Sequence, residues 1–117
     1  MSNEYDYQYD YVNDDSNCKY AVYAVDEPPN KIAFVGKCFI YSKPDGYFTD
    51  KCFVSEILTN LTYLDLLYVA DEEIETTQDT HHVFLEGIHV IKQVNNDLHQ
   101  VELILGSWYL NDIYLNR

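Results

Sequence analysis

Four histidines, His81, His82, His89 and His99, fall in one stretch of the chain and are the first candidates for chemistry. A zinc site needs three or four ligands in a tetrahedral arrangement. Adjacent His81 and His82 point to opposite sides of a strand, so they cannot easily share a site. A hairpin would bring His89 and His99 onto neighbouring strands, which makes a pair and not a site. All four are expected on strand surfaces. The acids Asp71, Glu72, Glu73 and Glu75 form a second cluster. They lack the alternating ligands and the glycine of a calcium loop. No metal and no cofactor is expected.

Nucleophilic chemistry has little to stand on. Cys18, Cys38 and Cys52 are far apart, with no C-x-x-C pair, and read as free thiols. Gly106-Ser107-Trp108 is the end of a strand and does not match the G-x-S-x-G elbow. The four glycines are scattered, so no phosphate-binding loop forms. Paired carboxyls do acid–base work only where burial separates their pKa values. Here the acids sit in polar stretches, and the chain is expected not to be an enzyme.

Those residues need elements to position them. Residues 19–25 and 31–41 are two β-rich runs around Asp-Glu-Pro-Pro-Asn, which reads as a hairpin. Gly36 marks a bulge or a bend in the second run. Asp50 caps an expected helix over residues 51–61, because Phe53, Val54, Ile57, Leu58 and Leu61 fall on one helical face. Residues 63–70 fit a helix or a buried strand equally. An acidic surface segment follows, from Asp71 to Asp79. Residues 82–94 and 98–109 alternate apolar and polar side chains around Asn95-Asn96-Asp97, a hairpin whose turn residues tolerate positive φ. The fold class is α+β, a mainly antiparallel sheet with hairpins and one or two helices, and residues 1–117 form a single domain.

Charge is the unusual property. Twenty acids face seven bases, for a net charge of −13. Small domains usually carry a magnitude of about 2–8. Residues 1–15 hold Glu4, Asp6, Asp10, Asp14 and Asp15 with no base, and residues 52–91 hold eight more acids with no base. Residues 16–51 are nearly neutral. In the first block Tyr5, Tyr7, Tyr9 and Tyr11 alternate with polar residues. That block is either an edge strand or a mobile tail, and four aromatics favour the strand. Such a surface repels phosphates, so direct nucleic-acid binding is disfavoured. It can instead stand in for DNA, since thirteen charges match roughly 22 Å of duplex. Carboxylates at alternate strand positions lie about 6.6 Å apart, a spacing of the same order as a phosphate backbone.

In size, acidity, tyrosine richness, lack of motifs and its opening MSNEYDYQYDYVNDD, the chain resembles small acidic bacterial DNA-mimic proteins that bind the histone-like nucleoid protein HU. The resemblance implies a monomer that occupies the DNA-binding surface of the HU dimer, competes with DNA and influences nucleoid packing. It transfers no contact residues. From the charge blocks, the protein-binding acidic face is expected at Glu4, Asp6, Asp10, Asp14, Asp15, Asp71, Glu72, Glu73, Glu75 and Asp79. The alternative is an immunity or inhibitor protein that blocks the basic active site of a nuclease or toxin. The opening residues lack the pattern of a signal peptide, and no apolar run approaches a membrane span, so a cytoplasmic protein is expected, nucleoid-associated through its partner.

Overall fold

The computed structural model describes residues 18–44 and 46–107. The tyrosine-rich first block, with Glu4, Asp6, Asp10, Asp14 and Asp15, lies outside the described residues.

The two longest strands are built from the clearest pattern in the sequence. β5 (His82–Asn95) and β6 (Leu98–Ser107) pair antiparallel, from His82 opposite Ser107 to Asn95 opposite Leu98. Along β6, Val101 and Leu103 are buried and Ile104 is exposed, the period-two burial of a one-sided strand. Gly87 sits at one of the register shifts. Neither Asn96 nor Asp97 uses the positive φ that these residues tolerate. The Asn95 side chain closes the turn instead, its Oδ1 accepting from the N–H of Asp97 at 3.1 Å.

Four more strands complete the sheet. β1 (Val22–Tyr23) runs parallel to β5, and β2 (Ile32–Ser42) runs parallel to β6. β3 (Phe53–Val54) and β4 (Leu58–Thr62) pair antiparallel with β2. The order is β1-β5-β6-β2-β3, with β4 also on β2. With one helix against this mixed, mostly antiparallel sheet, the molecule is α+β as expected.

Two local expectations fail. Residues 19–25 and 31–41 do not form a hairpin, because β5 and β6 lie between β1 and β2. Pro28 and Pro29 lack backbone N–H groups for a ladder. Carbonyls of this loop serve elsewhere: that of Pro29 accepts from the N–H of Leu64 at 2.8 Å, and that of Lys31 from the N–H of Tyr63 at 3.0 Å. This loop therefore satisfies donors at the start of the helix.

The helix itself is displaced. Residues 51–61 form β3 and β4, and Asp50 caps nothing there; α1 spans Tyr63–Thr77. Of the five residues assigned to one helical face, Val54 and Ile57 are exposed at 57% and 60%. Asn60 has φ 52°, outside the helical basin, and its Oδ1 accepts from the N–H of Gly36 at 2.7 Å. Gly36 has φ 102° and sits in the bulge of β2, as its position in the run suggested. Thr62 and Asp65 form a reciprocal capping box at 3.1 and 3.0 Å, which starts α1 twelve residues beyond Asp50.

Leu66, Leu67, Ala70 and Ile74 make the buried stripe of α1. They join Cys38 and Ile40 of β2, Leu85 of β5 and Val101 of β6 in one core. Tyr23 is fully buried beside them. Its hydroxyl donates to the carbonyl of Glu27 at 2.5 Å, and burial pushes its pKa up to about 12. Among the described residues, no helix is long and apolar enough to cross a membrane.

Candidate functional site

The expected site acids Asp71, Glu72, Glu73, Glu75 and Asp79 lie on α1 and just past it, and a helix turns by about 100° per residue. The acids therefore splay. Asp71 points at the chain entering β1 and accepts three backbone N–H bonds, from Lys19 at 3.1 Å, Tyr20 at 2.6 Å and Ala21 at 2.9 Å. Glu75 faces outward, 3.8 Å from Lys19 Nζ. Glu72 is exposed. Glu73 is turned inward and is only 7% exposed. Asp79 follows the helix and holds His82, with Oδ2 2.8 Å from Nδ1, while its Oδ1 accepts from the N–H of His81 at 3.1 Å. These five do not share one face.

Two groupings emerge in place of a row. The first is a cavity of about 190 Å³ under the last turn of α1. Glu73 and Thr77 of α1, Ser42 at the end of β2 and Lys43 just after it, His82 of β5 and Glu102 of β6 all line it, with Asp79 and Thr49 from the loops. One face of the Glu73 carboxyl is hydrogen-bonded by Ser42. Its Oε1 is buried without a hydrogen-bond partner, the one such side-chain atom among the described residues. A buried polar atom left so is costly unless something else meets it. Burial, reinforced by the nearby charges of Glu102 and Asp79, pushes the Glu73 carboxyl up to about 7. Beside the cavity Phe48 packs on His81 at 4.4 Å and on His82 at 5.2 Å between ring centroids, with Tyr47 against Phe48 at 4.6 Å.

The second grouping is an open depression on the outer side of α1. Glu56, Asp65 and Glu72 line it around Tyr68, which is 42% exposed. Asp65 and Glu72 are seven residues apart and so share one helical face. No lysine lines this depression. Among the described residues, Glu56 and Glu72 make no ion pair, whereas Lys19, Lys31 and Lys37 are paired with Glu75, Glu27 and Asp97.

Glu56, Asp65 and Glu102 were absent from the expected site. Glu56 and Asp65 belong to the base-free stretch of residues 52–91, and that signal could have included them. Glu102 reaches Glu73 only through the pairing of β6 into the sheet. The histidines do not converge: His89 lies opposite Glu102, and His99 lies opposite Gln93 and against Phe34. Among the described residues, no group of three His, Cys, Asp or Glu side chains is placed to hold a metal ion. Among the described residues Cys18, Cys38 and Cys52 form no disulfide; Cys38 is buried and its thiol pKa is raised by that burial. Compared with models of known protein families, with curated proteins and with solved structures, the chain matches none.

Proposed function

We propose that the chain is an acidic decoy that occupies the DNA-binding surface of a basic protein and competes with DNA there. The observation that carries this reading is the lysine-free depression of Glu56, Asp65 and Glu72 around Tyr68, on a chain of net charge −13. Solvated carboxylates around an exposed tyrosine suit Lys and Arg side chains, which meet both charge and an aromatic face. The resemblance in composition makes the HU dimer the expected partner, bound by one copy of the chain.

The experiment is calorimetry with HU at about 50 mM and 300 mM salt, using the full chain. Binding at low salt, weakened at high salt and displaced by duplex DNA, is the expected result. Glu56→Gln, Asp65→Asn and Glu72→Gln together should weaken it by about tenfold, from rim charges of roughly 0.2–1 kcal/mol each. Absence of binding at low salt overturns the reading. Recovery of a nuclease from lysate, with no HU, transfers the function to an inhibitor of that nuclease.

A further inference from the structure

The acidic depression at Tyr68 leaves the cavity beneath the last turn of α1 without a role. Three independent features there favour a cation. Glu73 presents a buried acceptor, Oε1, that no group of the described residues meets. The last turn of α1 carries no basic residue, so nothing on the helix itself compensates the negative end of its dipole. The carboxyls of Asp79 and Glu102 border the same space, against one ammonium, Lys43, at its lining.

The shape of the surroundings narrows the cation. A planar guanidinium can bond a carboxylate edge-on while its face lies on an aromatic ring, and it is more weakly hydrated than an ammonium. The ring that lines the cavity is the His82 imidazole, with Phe48 packed against it from outside. A volume of about 190 Å³ is many times the 10–15 Å³ that one water needs. We propose that this cavity receives one guanidinium group, the head of an arginine side chain carried by the basic partner. The inference rests on the decoy reading above and names the kind of side chain the partner must insert.

The proton balance gives the site a signature. Glu73 enters as the neutral carboxyl near pH 6 and leaves as the carboxylate, with one proton released to the buffer as the guanidinium binds. Its pKa of about 7 means that the ionised fraction rises about tenfold between pH 6 and pH 8. The groups facing it are Ser42 and Lys43 from the end of β2, His82 from β5, Glu102 from β6 and Asp79 from the loop. His82 lines the same cavity, so the Glu73 variant is what assigns the pH dependence to Glu73.

The test uses the full chain and methylguanidinium chloride at constant ionic strength, followed by NMR and by calorimetry in buffers of different ionisation heat. Saturable shifts at Thr77 and His82 are expected, about tenfold tighter at pH 8 than at pH 6, with proton release near pH 6 and weaker binding of methylammonium. Glu73→Gln should weaken binding at least tenfold and flatten most of the pH dependence. Glu102→Gln should weaken it several-fold, and Lys43→Met should strengthen it. Shifts that do not saturate, or that persist unchanged in both Glu73→Gln and Glu102→Gln, overturn the site. HU provides the distinguishing arm. Normal HU binding by Glu73→Gln overturns the inference and leaves the decoy reading standing. Saturable methylguanidinium binding without HU binding overturns the HU reading and upholds the guanidinium site.

Discussion

Glu73 concentrates the electrostatic cost of this fold in one residue. Its carboxyl is buried near Asp79 and Glu102 and titrates near 7, where an ordinary glutamate titrates at 4.5. Below about pH 4.5 both folded and unfolded chains hold this proton, so it does not affect stability. Between 4.5 and 7 the folded chain keeps a proton that the unfolded chain gives up. Stability therefore falls as pH rises through that window and levels off above it. The full effect is on the order of 3 kcal/mol at 1.36 kcal/mol per pKa unit. Glu73→Gln is neutral at every pH and nearly the same shape. It should be clearly more stable than the native chain at pH 8 and about equal to it at pH 4.5, in urea unfolding at both. An unchanged pH dependence would mean that the carboxyl is solvated. Asp71 is the opposite case: its charge meets three backbone N–H groups. Neutralising it removes structural hydrogen bonds worth roughly 1.5–3 kcal/mol for a charged acceptor. A binding loss at Asp71 would therefore report folding before it reported contact.

At the scale of elements, α1 is fixed by its two ends. The capping box of Thr62 and Asp65 starts it, and Gln78 ends it with φ 62°, its N–H donating to the carbonyl of Ile74 at 2.7 Å. Glycine adopts this left-handed conformation without the Cβ penalty that glutamine carries. Gln78→Gly should stabilise the chain by about 0.5–1 kcal/mol, a rise of a few °C in Tm, less whatever the bond from Gln78 Nε2 to the Glu75 carbonyl contributes. A fall in Tm would show that this side-chain bond outweighs the backbone relief. The same stretch explains where sequence and structure diverge. The apolar spacing of residues 53–61 suits a helical face, yet the chain there is extended. Ser55 shows why: its hydroxyl accepts from the N–H of Ile40 and its own N–H donates to the carbonyl of Ile40, so pairing with β2 outweighs local periodicity. The capping box was equally present in the sequence, at Thr62 and Asp65, and was the better start signal.

For the whole molecule, the question is how densely the acid is arranged. Asp65 and Glu72 lie about 10.5 Å apart along α1. Duplex DNA presents roughly six charges over that length. The described face is thus much sparser than DNA, and a decoy needs the first block to add to it. Neutralising Asp6, Asp10, Asp14 and Asp15 together is therefore expected to weaken HU binding more than the triple change at Glu56, Asp65 and Glu72. Stopped-flow association rates should fall about tenfold in that variant at low salt and converge with the native rates near 1 M, where the Debye length is about 3 Å. A larger effect from the α1 face than from the first block would place the main contact on the helix.

The sequence by itself determined the α+β class, the β5–β6 hairpin, the bulge at Gly36 and the charge excess, because each depends on neighbours within a few residues or on composition. It fixed the presence of acids in the second block but not their roles. Asp71, Glu72 and Glu73 are consecutive in the chain, yet one ties down the strand entry, one faces solvent and one is buried in a cavity. Helical rotation sends them apart, and only the tertiary structure supplies what each then meets. The cavity needs Ser42, Glu73, His82 and Glu102 from four separate stretches. Their meeting is decided by sheet order and by packing of α1 across it, which no local pattern encodes.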